Sequence, residues 1–443
     1  MDTIFAPLTI KGNCSLYVIR VSGKKVKECL DVFKINKELK HREATFCVLK
    51  DDNNQILDEA ILIYFQAPHS FTGEDVLELN LHCSNYIITK VIEMLSSIDG
   101  VRMAERGEFS KRAFLNNKID LMQAESIAAL IKSETELQHK LAIQQLQGKN
   151  SIFYNDLRNQ ILEILSLLEA YIDFPEEDIP TNIINEINDK VENIIKLIEK
   201  NLDDKKVGEK IKDGFHIAII GEPNTGKSTL LNYLSKRDIA IVSNIAGTTR
   251  DIIEVNLDIN GIPVILYDTA GIRKTDDVIE SEGVKRAINK AKQADLKILL
   301  LSIDNMNINE EIAKLIDNET IILLNKIDLQ EKVELNNIKN INTNNIIKIS
   351  LKDEINLDNF IKILQDKLES IISPNIDTTI TNERYRQELI KALQYLQEFN
   401  FDNPIEINAE NIRGSAECIG RITGKINSDE ILNNIFSKFC IGK

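Results

Sequence analysis

The spacing of apolar positions divides the chain into four stretches. In residues 1–116 the runs at 16–21 and 60–65 are short and rich in β-branched or aromatic residues, and 75–81 alternates apolar with polar. Those patterns predict strands, while 26–33 and 87–95 predict helices, which together make an α+β domain. From residue 117 the period lengthens. Ile119, Met122, Ile127 and Leu130 or Ile131 share one helical face, and Leu157, Ile161, Ile164, Leu165, Leu168 and Ile172 share another. Two long helices are expected, the second stopped at Phe174-Pro175, because proline disfavours helix in the residue before it. A further helix is expected at 184–202. Around residue 211 the pattern switches again. Residues 215–220 form a nearly continuous apolar run, a Gly-rich turn follows, and a helix starts at Lys227. Strand signals at 252–257, 264–267, 296–303, 321–324 and 346–349 then alternate with helices, the pattern of a doubly wound α/β domain. Helical periodicity returns after residue 374 at Leu389, Leu393, Leu396 and Phe399, then at Ile405, Ala409 and Ile412. The expected organisation is an α+β domain at 1–116 and an all-α domain in two halves, 117–210 and 374–443. An α/β domain at 211–373 is inserted between the halves.

Composition narrows the class. The chain has 443 residues, 43% of them hydrophobic and 28% charged, enough for buried cores in about three domains of ~150 residues. No apolar run approaches the ~20 residues of a membrane span, and the N-terminus lacks the basic-then-apolar pattern of a secretory signal. A cytoplasmic protein with no membrane partner is expected. The net charge of −15 excludes wholesale coating of nucleic acid, though a local basic patch stays open. Six scattered cysteines with no CxxC pair predict a reduced intracellular chain without disulfides or a zinc site.

The chemistry concentrates in the α/β stretch. Gly221-Glu222-Pro223-Asn224-Thr225-Gly226-Lys227-Ser228 matches G-x-x-x-x-G-K-[ST] between a strand and a helix. Backbone N–H groups there cradle phosphates, Lys227 neutralises the β and γ phosphates, and Ser228 ligates Mg²⁺. Asp268-Thr269-Ala270-Gly271 follows a strand. Asp268 can hold Mg²⁺ through water, and the Gly271 N–H can reach a γ-phosphate. Asn325-Lys326-Ile327-Asp328 resembles the guanine motif of GTPases. A carboxylate at Asp328 accepts from N1–H and the 2-amino group of guanine; adenine lacks that pair, so GTP is favoured. Ser350-Leu351-Lys352 resembles the weaker base-contacting loop, with Leu where Ala is usual. Gly247-Thr248-Thr249-Arg250-Asp251 resembles a switch I motif, which makes Thr249 a second Mg²⁺ ligand. Ras-like enzymes place a water-orienting Gln directly after the DTAG-type motif; here that residue is Ile272. Another group must orient water.

Over essentially its full length the chain resembles the tRNA modification GTPase family (MnmE, also called TrmE). The resemblance rests on the GTPase motifs, on residues 70–78 (SFTGEDVLE), 105–110 (ERGEFS), 113–121 (AFLNNKIDL) and 172–175 (IDFP), and on the terminal Phe439-Cys440-Ile441-Gly442-Lys443. It implies an N-terminal folate-binding domain that makes a homodimer, with Arg20, Glu78, Lys118 and Lys443 at the folate positions. The ligand would be a tetrahydrofolate derivative in its 5-formyl or 5,10-methylene form. The resemblance also implies a Ras-like P-loop G domain activated by K⁺, with Asn224, Ser243, Ile245 and Thr248 around the ion. It adds Thr229, Asn244 and Ala246 to the nucleotide contacts and matches Glu280 to the catalytic residue that orients water, with Glu282 its near neighbour. Read without the resemblance, Arg20 and Lys118 are ordinary surface cations and Glu280 is an acidic residue at a helix N-terminus. The implied activity is GTP hydrolysis coupled to modification of the wobble uridine of certain tRNAs at carbon 5. The implied product carries an aminomethyl or carboxymethylaminomethyl group, and the implied partner is the flavoprotein MnmG in a heterotetramer. Cys440 is a candidate folate-side residue. Two loops differ from the family pattern, residues 11–15 and 82–85, which carry side chains where glycines are usual. The alternative is a GTP-switched ribosome-assembly factor of the Era or Der type, which would carry a KH module after the G domain. No such module is evident after residue 373.

Overall fold

The computed structural model describes residues 2–9, 14–173, 181–237, 254–268, 288–306, 308–329, 346–373, 378–426 and 429–442. The chain forms two compact units, one of residues 1–128, 145–159 and 416–443, the other of 129–144 and 160–415.

The first unit is built on a six-stranded sheet. Its strands are β1 (Thr3–Pro7), β2 (Leu16–Ser22), β3 (Ala44–Lys50), β4 (Ile56–Phe65), β5 (Val76–His82) and β6 (Val101–Met103), in the order β3-β4-β5-β2-β1-β6. All pairs are antiparallel except β1 with β6. Alternation along β2 and β5 sends Tyr17, Ile19, Val21, Leu77, Leu79 and Leu81 into one core with the helices Val26–Val32 and Asn85–Ser96. The opposite face carries Arg20 and Glu78, which sit directly across from each other in the ladder. Sequence periodicity finds β2, β4 and β5 but misses three strands. In β1, Ile4 and Ala6 pack on one face and Phe5 on the other, so no alternation shows. In β3, Phe46 is 53% exposed while Cys47 and Leu49 are buried, which inverts the expected pattern. β6 has only three residues.

The two long helices expected at 117–173 are three: Leu121–Lys132, Glu136–Leu146 and Lys149–Asp173. A capping box makes the extra start. The Gln138 Oε1 accepts from the Thr135 N–H at 3.2 Å, and the Gln138 N–H reaches the Thr135 Oγ1 at 3.5 Å. Phe174-Pro175 lies outside the described residues. The C-terminal tail is docked rather than frayed. Phe439 is buried beside Phe436, the Gly107 N–H donates to the Cys440 carbonyl at 3.4 Å, and Ile441 bridges to Arg106.

The second unit holds another six-stranded sheet: β7 (Phe215–Ile220), β8 (Glu254–Ile259), β9 (Ile262–Asp268), β10 (Leu296–Ser302), β11 (Ile321–Asn325) and β12 (Ile346–Lys348). The order is β12-β11-β10-β7-β9-β8, parallel throughout except β8, which returns on β9 through Asn260-Gly261, both at positive φ. Both faces are covered, which accounts for the uninterrupted apolar strands. The chain enters and leaves this sheet beside one buried guanidinium. Arg386 bonds Glu209 at 2.7 and 2.8 Å and Asp204 at 2.6 Å. Burial alone would lower its pKa, and the two carboxylates raise it instead, so Arg386 stays charged. Among the described residues no helix is long and apolar enough to cross a membrane.

Candidate active site

β7 runs into the loop at 221–226 and then the helix Lys227–Lys236. Two glycines allow the loop its shape. Gly221 has φ +155°, and a Cβ there would lie 2.3 Å from the Leu300 carbonyl oxygen. Gly226 has φ +105°, and a Cβ there would lie 2.5 Å from the Asn325 Nδ2. Lys227 is buried, and its ammonium donates to the carbonyls of Gly221 and Glu222, each at 2.9 Å. Those loop carbonyls hold the cation at the mouth of the loop, ready to exchange for phosphate oxygens. The Ser228 hydroxyl donates to the Asp268 Oδ2 at 2.8 Å, while the buried Asp268 Oδ1 has no hydrogen-bond partner among the described residues. A buried carboxylate oxygen left without a partner beside a hydroxyl is the donor set a Mg²⁺ ion and its waters satisfy, so these residues fit the metal.

A cleft of about 810 Å³ opens over this loop. Asn224, Gly226, Lys227, Ser228 and Thr229 line its phosphate end. Asn325, Lys326, Asp328, Leu351 and Lys352 line the other. Asn325 ties the two ends together. Its Nδ2 donates to the Thr225 carbonyl at 2.9 Å, and its Oδ1 accepts from the Leu351 N–H at 3.1 Å. The Ser350 hydroxyl donates to one oxygen of Asp328 at 2.7 Å and so sets the carboxylate's orientation. Lys326 pairs with Asp304 at 3.0 Å, and the Asp304 carboxyl is held low by hydrogen bonds from Ser302 and then Lys326. Thr225 and Ser350 are fully buried supports rather than cleft lining. The tie made by Asn325 escapes sequence reading, because its partners lie 100 and 26 residues away. Ser243, Asn244, Ile245, Ala246, Gly247, Thr248 and Thr249 lie outside the described residues, as do Thr269, Ala270, Gly271, Ile272, Glu280 and Glu282.

A second polar constellation sits on the open face of the first unit's sheet. The Arg20 Nε and Nη2 donate to the Glu78 Oε1 at 2.9 and 2.8 Å. The rings of Phe71 and Phe109 flank the guanidinium at 5.3 and 5.7 Å. Lys118 reaches the same loop as Phe71, donating to the Pro68 carbonyl at 2.9 Å. Arg20, Glu78 and Lys118 are therefore gathered around residues 68–74. Lys443 lies outside the described residues, although Gly442 packs against Pro7, where a Cβ would come within 2.2 Å of the carbonyl oxygen. An amphipathic guanidinium–carboxylate pair between aromatic rings, with a lysine nearby, fits a flat heterocycle bearing a carboxylate tail. Below this pair runs a network that the sequence reading did not assign. Glu74 accepts from the Ser22 hydroxyl and from Arg112; Arg112 also bonds Glu108, which pairs with Arg102. Burial pushes the Glu108 carboxyl up, but Arg102, the Glu105 N–H and Arg112 outweigh it and hold it at about 2. The i, i+4 spacing of Glu108 and Arg112 was the one signal in the sequence that pointed to it.

Two family models match the chain: the MnmE helical domain over residues 121–440 and the GTP-binding protein TrmE N-terminus over 3–118. The tRNA modification GTPase MnmE of Rickettsia typhi is 47% identical over 447 residues, covering 100% of both chains. The chain belongs to the MnmE family of tRNA modification GTPases. The MnmE of Rickettsia prowazekii is 48% identical, again over 100% of each chain. Among solved structures, a variant of Aquifex aeolicus Era bound to GDP.AlF4⁻ aligns with 34% of this chain and 56% of its own, at 27% identity and a TM-score of 0.25. That overlap leaves most of the chain unmatched and adds nothing to the assignment. MnmE matches reach both ends of the chain, including the helical residues after the α/β sheet, so the Era or Der alternative is set aside.

Proposed function

We propose that this MnmE-family chain hydrolyses GTP and couples the hydrolysis to modification of the wobble uridine of certain tRNAs at carbon 5. The observation that carries the GTPase half is the cleft itself, where phosphate-loop and base-contacting residues line one cavity and Asn325 joins them. On binding, Lys227 exchanges two loop carbonyls for β and γ phosphate oxygens, and the loop N–H groups take the remaining charge. Asp328, already held by Ser350, accepts from N1–H and the 2-amino group of guanine. Ser228 and Thr249 would ligate Mg²⁺, with Asp268 reaching it through water. When bound, the metal neutralises the phosphate charge that builds up at the leaving group. Asn224, which lines the cleft, would join Ser243, Ile245 and Thr248 in holding K⁺. Bound there, the ion would supply the positive charge an arginine finger supplies elsewhere. Glu280 takes the water-orienting role that the apolar Ile272 cannot fill.

The remaining assignments are proposed on the strength of the family resemblance. The organisation has four segments, with a folate and dimerisation domain at 1–116, helical halves at 117–210 and 374–443, and the G domain at 211–373. Arg20, Glu78, Lys118 and Lys443 would hold a 5-formyl or 5,10-methylene tetrahydrofolate, which would supply the one-carbon unit. Leu16, Phe46 and Ile61 are each about half exposed on the face that bears Arg20, an open apolar surface that supports a homodimer. The flavoprotein MnmG completes a cytoplasmic heterotetramer that acts on tRNA.

Steady-state GTP turnover of the purified chain tests the reading. Turnover in KCl should exceed that in NaCl at least tenfold, and Glu280→Ala should keep GTP binding but lose turnover. Equal rates in the two salts would remove the potassium assignment. Retained turnover in Glu280→Ala would move the water-orienting role elsewhere, with Glu282 the next candidate.

A further inference from the structure

The chain is acidic as a whole, yet one segment of the first unit runs the other way. Residues 24–43 carry seven Lys and Arg against four carboxylates, a local excess of three positive charges in a chain of net −15. Three of the seven cations border a groove of about 670 Å³. Lys27, Lys37, Lys40 and His41 line it, with Asp31 and Glu38 between them.

The hydrogen bonding of this groove favours an anion. The Gln66 N–H donates to the His41 Nδ1 at 2.9 Å, so the exposed imidazole carries its proton on Nε2 and offers a donor. His69 stands close by, its ring 6.2 Å from that of His41, and its carbonyl holds the Arg42 guanidinium at the rim through a 3.2 Å hydrogen bond. Lys27 and Lys34 are exposed and have no side-chain partner among the described residues, and Lys40 meets only Glu43, at 3.6 Å. The contrast with residues 102–112 is instructive. That stretch is also rich in arginine, but Arg102 and Arg112 are already committed to Asp2, Glu74 and Glu108. In the groove, Lys27 and Lys40 are available to an outside anion, and Lys37 already donates to the Phe46 carbonyl at 3.0 Å, a neutral partner that leaves its charge uncompensated; the arginines around Glu108 are paired with carboxylates.

Asp31 and Glu38 interrupt the cations. That spacing disfavours a compact dianion and suits charges set several ångströms apart along a chain, as phosphates are in RNA. We propose that the groove lined by Lys27, Lys37, Lys40 and His41 is a docking surface for the phosphate backbone of tRNA. This rests on tRNA being the substrate of the modification reaction. The contact is independent of base sequence, so it holds and orients the tRNA while leaving the choice of tRNA to other surfaces.

The test is equilibrium binding of total tRNA to the full-length chain, titrated across salt. In the wild type, log affinity falls linearly with log salt. The triple variant Lys27→Glu/Lys37→Glu/Lys40→Glu should bind at least tenfold more weakly near 0.1 M salt, with a slope shallower by about two. Arginine at the same three positions should restore both, and charge reversal at Lys190 and Lys196 on another surface should change neither. GTP turnover and the melting temperature should stay at wild-type values in all of them. Unchanged tRNA affinity and slope in the triple variant would overturn the proposal. So would a variant that binds tRNA normally yet loses modification in cells, which would make the groove a protein-docking surface. Neither result would touch the tRNA-modification reading, which fails only if cells lacking the chain keep the modified nucleoside.

Discussion

The nucleotide cleft and the Arg20–Glu78 face assemble polar chemistry in opposite ways. In the cleft, each functional group sits in a short contiguous run, placed by one strand end and fixed by backbone geometry. Gly221, Gly226 and Lys227 act within a single turn. On the sheet face, Arg20 and Glu78 come from strands 58 residues apart and meet only because β2 and β5 pair in register. A one-residue slip of β2 against β5 would send Arg20 to the buried face and leave Glu78 without its partner. Each run of the cleft therefore depends on local conformation, with Asn325 joining the runs, whereas the face depends wholly on tertiary pairing. The difference also governs how each responds to change.

The largest effect should come from the phosphate loop. Lys227→Ala removes the buried ammonium at the phosphate end, and GTP turnover should fall at least a hundredfold while the folate-matched face is untouched. A turnover assay on the intact chain measures it. If 5-formyltetrahydrofolate binding fell as well, the two regions would not be independent. Asp328→Asn comes next. It exchanges an acceptor for a donor opposite guanine, and GTP affinity should drop by about one to two orders of magnitude, read by nucleotide titration. Arg20→Ala sharpens the comparison from the other side. Binding of 5-formyltetrahydrofolate, followed by calorimetry, should weaken at least tenfold with GTP turnover within twofold of wild type. The smallest effect concerns acid stability. The Glu108 carboxyl lies at about 2, below its ordinary 4.5, so its stabilisation is complete above 4.5 and is lost as pH falls towards 2. Glu108→Gln should therefore be less stable than wild type at neutral pH, and the gap should narrow below pH 4. A constant gap across that range, measured by thermal melts, would contradict the ion-pair network.

Legibility in the sequence follows the same division. The strand Phe215–Ile220 and the helix from Lys227 stand where the apolar run and the Gly-rich turn place them. Motif residues at both ends of the cleft are legible for the same reason, because each motif is local. The face was legible only through resemblance, since nothing near Arg20 in the chain announces Glu78. Thr3–Pro7 escaped because a strand buried on both faces has no period, and Glu136–Leu146 escaped because its Thr135 capping box sits inside an otherwise helical pattern. Support from Asn325 and the link from Glu74 through Arg112 to Glu108 depend on distances in space alone. Docking of the tail was half legible, because Phe439 and Ile441 are poor choices for a free end.

The central claim is that the GTP cleft serves tRNA modification. Mass spectrometry of wobble nucleosides tests it directly, in tRNA from a strain lacking this chain and from the same strain rescued with wild type or Lys227→Ala. The account predicts loss of the carbon-5 modification in the deletion, restored by wild type and not by Lys227→Ala. An unchanged nucleoside profile in the deletion strain, or full rescue by Lys227→Ala, would contradict it.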